Sequence, residues 1–259
     1  MLMKKMVLPY LKAWDLFFEI SLPISSSPKS KPKASNKNNS EVLYFVPIIG
    51  LTLGLSAYIL SWFVSVIGGT VLASILCPFI IVLSWELLNN AKDTTYLVHY
   101  IYFRIFKHYG SNSTDTQNNE NNFMLFYIFT AIFIIRVLCL GIFIYYHHLG
   151  WIVVTAVLTY AIQGHLSAEE KNSSKEALIS ADRRSVIIMW IITAVLCLLF
   201  GDIYFPTTIL AFIITVLFAV KAKTFYKKNN SLSGVNIGFT GKYMEIIILL
   251  LGLLFRFHF

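Results

Sequence analysis

Seven apolar stretches separated by gaps that are alternately basic and free of Lys and Arg leave this chain few folds to choose from. The stretches cover residues 42–65, 70–88, 123–146, 150–166, 185–199, 206–220 and 243–257. Of the 21 Lys and Arg residues, 19 fall in the N-terminal arm or in the gaps after the second, fourth and sixth stretches. Only Arg136 and Arg256 lie elsewhere, and the gaps around residues 66–70, 147–149 and 201–205 hold no Lys or Arg. Basic loops stay on the cytoplasmic side of a membrane, so this alternation predicts a cytoplasmic N-terminus and about seven spans. Several stretches are shorter than the roughly 20 residues a span needs, so six to eight spans bracket the expectation.

Composition points the same way. The chain is 57% hydrophobic and 13% charged, with mean hydropathy +0.68, whereas soluble domains are about 25% charged. In lipid the backbone must bond to itself, so runs rich in Ile, Val and Phe read as helices. The fold class is therefore all-α, a polytopic integral membrane protein in contact with the lipid bilayer. The net charge of +8 is what cytoplasmic loops facing anionic headgroups require, and no nucleic-acid partner is expected. Cys77, Cys139 and Cys197 stand singly in different stretches, without metal or disulfide spacing.

Residues 1–24 place Leu8, Leu11, Trp14, Phe17 and Phe18 at helical spacing among Lys12, Asp15 and Glu19, which predicts an amphipathic interfacial helix. Residues 25–41 read as a disordered linker. Residues 42–259 form a single helical membrane domain with a polar insert at 110–122. The apolar residues between 89 and 109 suggest a further helix at the cytoplasmic interface.

The ionisable residues within or beside the stretches are the candidates for chemistry. Arg136 lies near the middle of a span, where a charge costs about 2.5–3.5 kcal/mol. It reads equally as a phosphate contact or as one half of a structural pair with a carboxylate. Glu86 and Glu245 lie near cytoplasmic helix ends, where snorkelling to the interface competes with a functional role. Asp202, His147, His148 and His165 read as interfacial or capping residues. The segment 229–241 mixes Gly, Ser, Asn and Thr between Lys228 and Lys242. It reads as a flexible connection or as a loop whose backbone N–H groups cradle phosphate.

Three segments, in order, resemble the membrane-integral cobalamin synthases, the adenosylcobinamide-GDP ribazoletransferases. Residues 14–24 (WDLFFEISLPI) are similar to the family's Phe-x-x-x-Leu-Pro-Val/Ile segment, and residues 45–54 (FVPIIGLTLG) to its Phe-Pro-Leu-Val-Gly-x-x-x-Gly span start. Ser233, Gly234 and Gly238, with Glu245 beyond, resemble its Gly-rich loop and following Glu. The family's acidic motif, His-x-Asp-Gly-x-Ala-Asp-x-x-Asp-Gly, falls with its His on Leu87, its first Asp on Asn89, its second on Asp93 and its third on Tyr96. The loop Asp falls on Val235, beside Asn236. Arg136 and Gln163 stand near a family Lys and Arg.

The resemblance implies joining of adenosylcobinamide-GDP, a nucleotide-linked corrinoid, to the hydroxyl of α-ribazole with release of GMP. Such a transfer uses Mg²⁺ on the diphosphate. On this chain the implied catalytic residues are Asp93 and Glu86, and the metal ligands are Asp93, Asn89 and Glu245. Gly234, Asn236, Lys92 and Arg136 would hold phosphate. The resemblance also implies a bacterial plasma-membrane protein whose polar site faces the cytoplasm. Because most of the motif carboxylates are missing, the alternative is a catalytically inactive membrane scaffold of the same fold. A small-solute transporter is a third class, disfavoured because Arg136 alone lies at mid-span.

Overall fold

A computed structural model describes residues 2–18, 40–106, 116–169, 179–201, 205–229 and 233–256. The described residues form eight helices: α1 (Leu2–Phe17), α2 (Ser40–Leu88), α3 (Lys92–Phe106), α4 (Thr116–Tyr145), α5 (Leu149–Ser167), α6 (Arg183–Phe200), α7 (Phe205–Lys228) and α8 (Gly234–Arg256). A two-residue parallel pairing of Ala168–Glu169 with Ile179–Ser180 is the one extended contact among them. Most of the linker and part of the polar insert lie outside the described residues. The remainder of that insert, from Thr116, is the first part of α4.

Six of these helices are long and apolar enough to cross a membrane, namely α2, α5, α6, α7, residues 123–145 of α4 and residues 235–255 of α8. The 49 residues of α2 would span about 74 Å as one rod, more than twice the roughly 30 Å bilayer core. The helix is interrupted at Gly69, whose φ of 81° and ψ of 161° are not helical. Only glycine adopts that conformation readily. Before the break, Gly50 packs on Ala156 and Val157 of α5, and Gly54 on Val153, so this half runs antiparallel to α5. After it, Ser74 and Pro78 approach Gly141 of α4, while Phe79 meets Phe133, so that half runs antiparallel to α4. Ser61 and Cys77, each eight residues from Gly69, lie against one another.

Helix α5 is the axis of the bundle, with every residue except Tyr160 buried. The other helices can approach it because small residues stand at the crossings. A Cβ on Gly50 would sit 2.6 Å from the Ala156 carbonyl oxygen, and one on Gly54 2.7 Å from the Val153 Cα. The lipid-facing surface is a coat of exposed Ile, Leu, Val and Phe, such as Ile67, Val71, Ile75, Leu83, Ile213 and Leu217. Helix α1 lies on α2, with Ala13, Trp14 and Phe18 buried and the Tyr10 hydroxyl 3.2 Å from that of Thr52.

One end of the bundle gathers the polar contacts. There Asp93 of α3 meets Gln163 of α5, Tyr44 meets Ser185, Lys223 meets the last carbonyls of α5, and Tyr226 meets Thr240. Arg183 and Arg184 open α6 and Lys227 and Lys228 close α7 at this end.

Candidate functional site

The site begins with how α2 ends. Asn90 adopts φ 49°, its N–H donates to the Leu87 carbonyl, and the Ala91 N–H donates to the Glu86 carbonyl. This is a Schellman stop with Asn in the left-handed position that glycine usually takes. The chain reverses within three residues, so the first turn of α3 folds back over the last turn of α2. Thr94 thereby donates its hydroxyl to Glu86 Oε1 at 2.9 Å. Asp93, one residue earlier, is partly buried and faces α5 and α8.

Four charged side chains from three helices then close on one another. Arg136, fully buried in α4, donates through Nε to Glu245 Oε1 at 2.7 Å and through Nη1 to Glu86 Oε1. Lys242, one turn before Glu245 on α8, places Nζ 2.9 Å from Glu245 Oε2 and 3.1 Å from Glu86 Oε1. Each carboxylate therefore touches both cations. Glu86 and Glu245 point into the bundle, so neither follows the snorkelling expectation. An unpaired charge buried in the bundle would be too costly, and Arg136 supplies the counter-charge to both. Arg136 is thus paired with two carboxylates, as the structural-pair reading expects.

Asp93 is the fifth member. Its Oδ2 accepts from Gln163 Nε2 at 3.1 Å, Asn89 also bonds it, and its Oδ1 lies against Gly238. Burial pushes its carboxyl above the ordinary range, against the pull of Lys242 and the bonds from Gln163 and Asn89, while repulsion from Glu86 adds to the rise.

The segment 229–241, read as a flexible connection or phosphate loop, is a helix from Gly234 onward. Its glycines serve close packing: Gly238 admits the Asp93 carboxylate and Gly241 the Gln163 amide, each where a side chain would collide. Gly234 and Asn236 form the first turn of α8, with the Asn236 N–H 3.4 Å from Ser233 Oγ. Lys92 opens α3 on an exposed face. These three expected phosphate contacts thus lie before or outside the quartet rather than in it. His165 accepts from Trp190 Nε1 at 3.1 Å through Nδ1, while its carbonyl accepts from Lys223. Asp202 lies outside the described residues.

The structure thus brings Glu86, Asn89, Asp93, Arg136, Gln163 and Glu245 into one neighbourhood, although they span 160 residues of sequence. Of the expected metal ligands, Asn89 bonds Asp93, while Glu245 is held by Arg136 and Lys242. Among the described residues no three His, Cys, Asp or Glu side chains are grouped to hold a metal. The donor set explains why: Arg136 and Lys242 both meet Glu86 at Oε1, and they take one oxygen each of Glu245, so both carboxylates are already paired with cations. That arrangement does not fit the ion. Lys242 and Thr94 were not among the residues that the sequence singled out for a site. The signal for Lys242 was its spacing of three from Glu245, which shares a helical face only once 234–245 is read as helix. Comparison with protein-family models, curated proteins and solved structures found no match to this chain.

Proposed function

We propose that this chain is a seven-span membrane protein, N-terminus on the cytoplasmic side, built on the cobalamin synthase plan as a non-catalytic scaffold. The reading rests on one observation: Arg136 and Lys242 occupy the carboxylates, Glu86 and Glu245, that a metal-dependent transfer would use. With both carboxylates paired to cations, the quartet has no unpaired carboxylate to hold a metal on a diphosphate. Two features support seven spans. Gly69 breaks α2, and its halves run antiparallel to helices that are themselves antiparallel. The basic helix ends of α6 and α7 gather at the end of the bundle that holds Asp93, which supports a cytoplasmic placement of that end in a plasma membrane.

A direct test supplies adenosylcobinamide-GDP and α-ribazole, with Mg²⁺, to membranes containing the folded protein. The scaffold reading expects no GMP release above membranes without it. Release that disappears in Glu245→Gln would overturn it in favour of the ribazoletransferase. That second reading has its own support: the residues matched to the family's motif, scattered through the chain, meet in one place as an active site's would.

A further inference from the structure

We propose that Lys242 is a built-in substitute for a divalent cation, and that removing its ammonium opens a divalent-metal site between Glu86 and Glu245. This deepens the scaffold reading above, and the two can fail separately. Lys242 Nζ sits 2.9 Å from one carboxylate and 3.1 Å from the other. A Mn²⁺ or Mg²⁺ ion binds oxygen at about 2.1–2.2 Å, so each oxygen would have to close in by about 1 Å. Glu86, two residues from the end of α2, has the freedom to make most of that movement. Two carboxylates with water completing the shell are an ordinary donor set for such ions.

Two further observations favour an ion there. Three carboxylates, Glu86, Glu245 and Asp93, face two cations, Arg136 and Lys242, so exchanging a single charge for a double one balances the group. The Arg136 guanidinium, held by Glu245 through Nε and by Glu86 through Nη1, keeps a buried Nη2 that has no hydrogen-bond partner among the described residues. That donor has room to turn towards a carboxylate oxygen that the ammonium leaves. Helices α2 and α8 supply the two direct ligands, and Asp93 on α3 stands behind them for an outer-shell contact.

The experiment titrates Mn²⁺ into purified full-length protein in detergent, followed by electron paramagnetic resonance and by the unfolding temperature. The unmodified chain is expected to show no saturable site removed by Glu245→Gln. Lys242→Ala and Lys242→Gln are expected to gain one, at least about tenfold tighter than any binding by the parent, with Mn²⁺-dependent stabilisation. Adding Glu245→Gln to either should abolish the gain. If both single variants fold only with Mn²⁺, the proposal also stands, because the ion has taken the place of the ammonium. Folded variants without a saturable site, variants that Mn²⁺ cannot rescue, or a parent that binds Mn²⁺ through Glu245 would each overturn it. GMP release by the parent would instead sink the scaffold reading alone.

Discussion

Removing the Arg136 charge should be the most damaging single change in the bundle, and the structure says by how much and how it can be repaired. Arg136 is fully buried and bonds both Glu86 and Glu245. In Arg136→Met a flexible apolar chain fills much of the same volume, so packing loss is secondary. What remains is two buried carboxylates sharing Lys242. Breaking a buried pair by deleting one partner costs about 3–5 kcal/mol. At about 2 °C per kcal/mol for a chain of this size, the unfolding temperature should fall by roughly 6–10 °C. The repair follows from the same geometry. Arg136→Met with Glu245→Gln leaves Glu86 paired with Lys242 and one neutral amide, so the double variant should be more stable than Arg136→Met alone. Thermal unfolding of the purified protein in detergent, followed by Trp fluorescence, measures all four corners of the cycle. A loss of under about 2 °C for Arg136→Met, or losses that simply add in the double variant, would refute the reasoning.

Other changes test other parts of the account. Gly50→Ala should destabilise by about 1–3 kcal/mol in the same unfolding assay, because its methyl meets the Ala156 backbone of a helix that cannot retreat. Gly69→Ala should also cost about 1–3 kcal/mol, here through backbone strain, since no atom lies within 4 Å of the added carbon. For Asp93 the pH dependence has a definite sign. Its folded-state pKa is raised, so folded protein holds the proton at pH values where the unfolded chain has released it. Stability should fall as pH rises from the unfolded value of about 3.9 through the folded one. Asp93→Asn should therefore be more stable than the parent at pH 7, with the difference shrinking towards pH 4. A variant less stable than the parent at pH 7 would contradict this. For topology, the three native cysteines are buried, so introduced ones report cleanly. Tyr146→Cys should react with an impermeant maleimide in intact cells, and Lys227→Cys only after permeabilisation.

The apolar helices were legible because lipid removes the backbone's alternatives, and the non-helical break at Gly69 falls in the gap between the first two apolar stretches. Glu86, Asp93, Arg136 and Glu245 were legible because charge inside or beside a span has few cheap homes. What could not be read was which charge meets which. Glu86 sits near its helix end, and Glu245 near the start of the apolar stretch 243–257, so snorkelling looked sufficient for both. Only the Schellman stop at Asn90, which folds α3 back over Glu86, turns that carboxylate inward. The segment 229–241 misled because glycine, serine and asparagine describe both a loop and a close helix crossing. Whether Asp93 and Gln163 stand opposite Gly238 and Gly241 is a tertiary fact, invisible to local composition. That same misreading hid Lys242, which belongs to a loop in one reading and to the ionic centre in the other.

The most direct test of the closed centre is anomalous diffraction at the manganese edge from crystals of the unmodified protein grown with Mn²⁺. The account predicts Lys242 and Arg136 bridging Glu86 and Glu245, with no manganese peak within about 2.5 Å of either carboxylate. A manganese ion seated between them, with the Lys242 ammonium displaced, would contradict it.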